Sequence, residues 1–256
     1  MNILWGYVRG VSRLFALMLV LLGSTLIYAL NPFHRDAFSR ALWLQRICRR
    51  VLKVLFVSVE SRGDPTRGAV IVCNHMSYID IVILAASTPV VFVSKKEVRE
   101  WLFFGWFAEK AGTRFIDRKN RGDVRRIAKE IGSLMRADLT VVLFLEGTTT
   151  DGNRVLPFKP SLLESAVVQQ WKIVPAALAY RVPFGRSVGL EVCWWGDMTL
   201  MPHLFNFATL PWIRASVNWG EVLISSENRK MLAEELHRKV TALKNEVEFH
   251  RTSQEK

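Results

Sequence analysis

From Ser58 onward the chain alternates short apolar runs with segments of helical period, and this alternation limits the fold more than any other feature. The runs at residues 69–73, 90–94, 113–117, 139–145, 173–180, 187–194 and 215–222 have the length and β-branched content of strands. Helices are expected between them at 79–86, 98–111, 122–136 and 161–170, the third marked by Val124, Ile127, Ile131 and Leu134. Strands separated by helices define an α/β domain, a mixed central sheet flanked by helices. Residues 58–256 are expected to form it. They close on an amphipathic helix with Leu232, Leu236, Val240, Leu243 and Val247 on one stripe, and the terminal RTSQEK is expected to fray.

Residues 1–57 read as an appendage. No charged residue occurs from Leu14 to Phe33, and about 20 apolar residues suffice to cross a bilayer as a helix. A cleaved signal peptide is the rival, but no small-x-small site closes the run and Asn31-Pro32 interrupts it, so a retained anchor is expected. The following ALWLQRICRRVLKVLFV places Leu44, Ile47, Cys48, Val51, Leu52 and Leu55 on one side and Arg46, Arg49, Arg50 and Lys53 on the other. Such a basic amphipathic helix either lies on an anionic bilayer or packs on the domain. Basic residues flank the apolar run on both sides, so the positive-inside rule does not orient it. The alternative to a full span is a hairpin that dips into one leaflet and turns near Asn31-Pro32.

Composition agrees with a membrane-attached globular protein: half the residues are hydrophobic and the mean hydropathy is +0.16. A net charge of +12 attracts polyanions. The nine Trp and the apolar run favour a lipid surface, and no basic recognition helix or zinc spacing points to nucleic acid. Cys48, Cys73 and Cys193 lie far apart, which suggests neither a disulfide framework nor a metal site, and a reducing compartment is expected.

Four clusters fall where predicted strands end, the place at which ligands collect in open α/β sheets. In NHMSYID, His75 follows a strand and Asp80 comes five residues later, early in a helix, so the carboxylate can reach back to the imidazole and form a general base. Ser77 lacks a nucleophile-elbow context and suits a helix N-cap, and Cys73 ends a buried strand. In GTRFIDRKNR, Phe115 and Ile116 form a short strand, and Asp117, Arg118 and nearby cations follow it. In FLEGTTTDGNRVLPFKPS, a strand delivers Glu146, Gly147 and Thr148, with Lys159 nearby; glycine lets a ligand approach the backbone. In IVPAALAY, Pro175 after Val174 implies an edge strand or a bulge.

In order and context these clusters resemble the motifs of the glycerolipid acyltransferase family, which includes the 1-acyl-sn-glycerol-3-phosphate acyltransferases. N-H-x-S-x-x-D is matched by Asn74, His75, Ser77 and Asp80; G-x-x-F-I-D-R by Gly112, Phe115, Ile116, Asp117 and Arg118; the E-G-T core by Glu146, Gly147 and Thr148; and V-P by Val174 and Pro175. The resemblance covers about residues 58–225. It implies transfer of a fatty acyl group from an acyl thioester, either acyl-CoA or acyl carrier protein, to a lysolipid hydroxyl, in phospholipid biosynthesis. In that scheme His75 is the base and Asp80 its partner, while Asn74, Ser77, Gly112, Phe115, Asp117, Arg118, Glu146, Gly147, Thr148 and Lys159 serve the acceptor. Attack would be direct, without an acyl-enzyme, a bound cofactor or a metal. Implied partners are membrane lipids and possible delivery of the acyl group by acyl carrier protein, with the catalytic domain on the cytosolic side of a membrane, the inner one in a bacterium. Members acting on lysophosphatidate commonly read F-P-E-G-T-R-S, whereas Leu145 and Thr149 stand here for the Pro and the Arg. The run EGTTTDGNRVLPFKPS looks closer to enzymes that acylate lyso-ornithine lipid. Two other classes compete: a lipid esterase, for which no convincing nucleophile is in view, and a catalytically silent lipid-binding protein.

Overall fold

The computed structural model describes residues 3–30, 36–101, 103–224 and 228–254. Its strands are β1 (Val57–Arg62), β2 (Val70–Cys73), β3 (Val90–Lys95), β4 (Arg114–Ile116), β5 (Thr140–Leu143), β6 (Ile173–Arg181) and β7 (Ile213–Trp219). They form one sheet in the order β1-β7-β6-β2-β5-β3-β4. The last five in this order are mutually parallel, while β7 is antiparallel to β6 and β1 is parallel to β7. The carboxyl ends of the five parallel strands therefore share one edge.

The helices are α1 (Ile3–Leu30), α2 (Ala37–Val54), α3 (Tyr78–Ser87), α4 (Phe104–Lys110), α5 (Arg121–Arg136), α6 (Leu163–Val168), α7 (Val188–Glu191), α8 (Leu200–Thr209) and α9 (Arg229–Gln254). Side chains alternate across the pleat and split the core in two. Ile71 and Cys73 face the layer of α2, α3 and α8; Val70 and Val72 face α5, α6 and α9. Burial on both faces is why β2 reads as an uninterrupted apolar run. The helix after β2 lies on one face and the helix after β5 on the other, so a crevice opens between these neighbouring strands at their carboxyl ends.

Several expectations are corrected. β1 went unread because VSVESR is mostly polar; it is an edge strand paired only with β7 and exposed over most of its length. Residues 187–194 form a turn of helix, α7, and not a strand. Glu191 accepts from Ser187 N at 3.0 Å and binds Arg186, which closes the turn, and β7 already occupies the place beside β6. The helix expected at 98–111 is a 3₁₀ turn (Lys96–Glu100) followed by α4, with Phe103 at φ 61° between them. Pro175 lies inside the sheet, not at an edge. The ladder with β7 steps by one residue between Ala176↔Trp219 and Ile173↔Leu223, so the bulge alternative is the one realised, on the 220–222 side. Helix α9 continues to Gln254, beyond the start of the tail expected to fray.

Of the two readings of the basic helix, α2 packs on the domain: Trp43, Ile47, Cys48, Val51 and Leu52 are buried, and Arg46, Arg50 and Lys53 face outward. Helix α1 is long and apolar enough to cross a membrane, yet it packs on α8 and α2 at points from Tyr7 to Tyr28. Tyr7 stacks edge-on against Phe205 at 5.0 Å, Gly10 fits against Phe205 and Thr209, Trp43 donates to Ser24 O at 3.3 Å and Tyr28 packs on Trp43 at 4.8 Å. Arg9 and Arg13 donate to the carbonyls of Thr209, Ala208, Leu210 and Pro211 at the end of α8, where cations are stabilised by the helix dipole. The opposite face, with Leu4, Phe15, Leu19, Leu22 and Leu26, is bare and apolar, as suits a membrane-associated protein. The turn expected at Asn31-Pro32 lies outside the described residues.

Candidate active site

The loop leaving β2 enters α3 through Ser77, and Asp80 is the third residue of that helix. Its carboxylate is fully buried and collects four donors. Oδ2 accepts from His75 Nδ1 (2.8 Å), Met76 N (2.6 Å) and Ser77 N (2.9 Å), and Oδ1 accepts from the Tyr180 hydroxyl. Position near the helix N-terminus and these bonds offset the cost of burying the charge. Because Nδ1–H donates to Asp80, the His75 Nε2 lone pair is left to accept a proton from a substrate. The ring is fixed further by stacking on Phe144, centroids 3.9 Å apart. Burial and the Asp80 charge push the Tyr180 pKa well above that of a free phenol, so it stays a donor.

Glu146 clamps this loop from β5. Oε1 accepts from His75 N at 2.6 Å and Oε2 from Leu156 N at 2.7 Å. Thr150 adds its backbone N–H to His75 O at 3.1 Å. Burial pushes the Glu146 pKa up to about 7 against the pull of those two N–H groups. Between its ordinary value of 4.5 and about 7, the folded chain holds a proton that the unfolded chain has released. Stability should therefore fall as pH rises through that window, by up to about 3 kcal/mol, and level off above it. Thermal midpoints of wild type and Glu146→Gln measured from pH 4.5 to 8 test this: the difference between them should depend on pH only below about 7.

Gly147, at φ 76°, makes room for two cations. A Cβ there would meet Arg118 Nη1 at 2.4 Å and Lys159 Nζ at 2.8 Å. Neither cation has a carboxylate partner among the described residues, so both remain available to an anion. Gly147→Ala should push the pair apart and raise KM for an anionic acceptor tenfold or more, with a folding cost of about 1–2 kcal/mol. Steady-state kinetics against a thermal melt separate the two effects.

The other residues singled out in the sequence have different places. Asn74 bonds Leu178 with both ends of its amide, donating to O at 3.1 Å and accepting from N at 2.8 Å, and so fastens β2 to β6. Ser77 sits at the N-cap; its buried hydroxyl has no hydrogen-bond partner among the described residues, and its backbone N–H donates to Asp80 Oδ2 at 2.9 Å. Asp117 is held by Lys96 Nζ at 2.7 Å, Phe115 O accepts from Arg126 at 3.0 Å, Gly112 turns into β4 at φ 85°, and Thr148 is exposed. Val174 and Pro175 begin β6, at the end away from the site. Tyr180 and Thr150 were not anticipated. The signal for Tyr180 is a lone hydroxyl closing an apolar strand on the same face as Val174. Burial raises the thiol pKa of Cys73 well above its ordinary value and that of Cys193 to about 12, so neither is a ready nucleophile.

An imidazole so held, in the crevice of an α/β sheet and without an activated nucleophile beside it, is the arrangement of an enzyme that works by proton transfer. The profile of the family described as Acyltransferase matches residues 55–179. The chain is 35% identical, over 91% of its length and 94% of the relative's, to a lyso-ornithine lipid O-acyltransferase from Brucella abortus. It is 33% identical to one from Rhizobium meliloti, over 76% of each. With a 1-acyl-sn-glycerol-3-phosphate acyltransferase from Neisseria meningitidis it shares 32% identity over 57% of its own length and 62% of that protein's. The chain belongs to the Acyltransferase family. Its fold is that of the crystal structure of the 1-acyl-sn-glycerophosphate (LPA) acyltransferase, PlsC, from Thermotoga maritima, with a TM-score of 0.70 and 18% identity over 97% of this chain and 98% of that one.

Proposed function

We propose that the protein transfers a fatty acyl group from an acyl thioester to the hydroxyl of a lysolipid, with lyso-ornithine lipid as the preferred acceptor and lysophosphatidate as the competing one. The observation that carries the reading is the fully buried Asp80 fixing His75 with Nε2 free. His75 Nε2 takes the proton of the acceptor hydroxyl as its oxygen bonds to the thioester carbon. The tetrahedral intermediate expels the thiolate, which receives that proton from the imidazolium. Arg118 and Lys159 seat the acceptor's anionic group, the carboxylate of ornithine or the phosphate of lysophosphatidate. The lyso-ornithine reading is supported by the names of the relatives and by Thr149 at the position of the family's usual arginine. The test uses purified protein in detergent, a labelled acyl donor and a panel of lyso-ornithine lipid, lysophosphatidate and other lysophospholipids. The highest kcat/KM is expected with lyso-ornithine lipid.

Helix α1, fastened to the domain along its length, lies in one leaflet with its bare face in the acyl chains and the domain on the cytosolic side. Protease added to sealed vesicles that carry the domain outside should release no fragment protected in the lumen. A protected N-terminal fragment would mean a full span.

A further inference from the structure

Apart from the Gly147 seat, one large feature of the catalytic edge has no role in the mechanism above. A groove of about 840 Å3 opens over the carboxyl end of β6. It abuts the His75–Asp80 pair through Met76 and Tyr180, and its walls include Arg181, Trp212 and Lys244. Arg181 lines the groove, and Arg214, just outside the lining, is its direct cross-strand partner at this edge of β6 and β7. Like charges facing each other across an antiparallel pair destabilise it, unless an anion lies between them. Neither arginine has a carboxylate partner among the described residues; Arg214 rests on the Trp212 ring at 5.0 Å. Arg186 differs, being neutralised by Glu191, and Asp151 is the acidic group of the lining.

Position indicates which substrate this groove serves. In strand order it lies over β7 and β6, His75 follows β2, and the Gly147 seat lies over β5, so the base stands between two cationic sites. A reaction of two substrates places one on each side of the base. The groove straddles the end of the sheet: Ala179 and Lys244 lie on its α9 side, and Met76 and Tyr180 belong to the layer on which α1 packs.

Resting on the acyltransferase reading, we infer that Arg181 and Arg214 bind the phosphate that ends the pantetheine arm of the acyl donor, a group that coenzyme A and acyl carrier protein share. The test compares wild type, Arg181→Gln/Arg214→Gln and the charge-keeping Arg181→Lys/Arg214→Lys in full-length protein. Donors are acyl-CoA, acyl-[acyl carrier protein] and phosphate-free acyl-pantetheine, with one fixed lysolipid. In the Gln variant, KM for the phosphate-bearing donors should rise about tenfold or more. The lysolipid KM, the kcat at saturating donor and the kinetics with acyl-pantetheine should hold, and the Lys variant should recover most of the loss. If KM rises for one phosphate-bearing donor alone, that donor is the source of the phosphate. An active wild type whose variant keeps its donor KM, or loses acyl-pantetheine equally, overturns the inference and leaves the acyltransferase reading standing. A wild type inactive with every donor overturns both.

Discussion

His75→Ala should lower kcat by about 10²- to 10⁴-fold, the contribution of a positioned proton transfer. The fold should survive the change. Asp80 keeps three of its four donors, Met76 N, Ser77 N and Tyr180, so the start of α3 stays capped; the lost contact is a half-buried ring lying on Phe144. A circular dichroism melt close to that of wild type, unchanged recovery in membranes and an acyl-transfer rate near background are the expected results. Activity within a few-fold of wild type would mean that another group takes the proton.

Asp80→Ala should be the more damaging change, because it strikes both rate and stability. Four donors converge on that carboxylate, and its removal leaves the buried Tyr180 hydroxyl and two backbone N–H groups without an acceptor. Orphaning buried donors of this kind costs about 1–3 kcal/mol each. The imidazole also loses the group that fixes its tautomer, so kcat should fall by about 10²-fold or more. Tyr180→Phe is the graded control. It removes one donor and leaves the His75 contact intact, so kcat should fall by less than about tenfold while the melting temperature changes modestly. A Phe variant as inactive as the Ala variant would assign Tyr180 a direct part in the chemistry.

The elements that can be read from the sequence are those whose residues respond to one local rule. Apolar runs buried on both faces announced β2, β5 and β6, and the five-residue spacing from His75 to Asp80 was enough to place a carboxylate behind an imidazole once a strand-to-helix turn was granted. What escaped depends on contacts distant in the chain. The polar VSVESR becomes a strand only because β7, more than 150 residues away, offers it an edge. The alternation of Val188, Leu190 and Val192 imitates a strand, but local bonds to Glu191 close it into a helical turn. That Asn74 and Glu146 hold backbone is not legible from their place in polar motifs. Each engages its side chain with backbone groups ten or more residues away. Tyr180 was hidden for the converse reason: a tyrosine ending a strand is ordinary until the fold sets it against Asp80.

The central claim is that His75 delivers a lipid hydroxyl directly onto a thioester. Purified wild-type protein should be mixed with acyl thioester labelled in the acyl chain, with and without lysolipid, and both lipid and protein followed for label. Diacylated lipid and free thiol appearing in equal amounts, only when lysolipid is present and with the protein unlabelled throughout, is the predicted outcome. Label bound covalently to the protein, or free fatty acid released at the same rate without lysolipid, would contradict it.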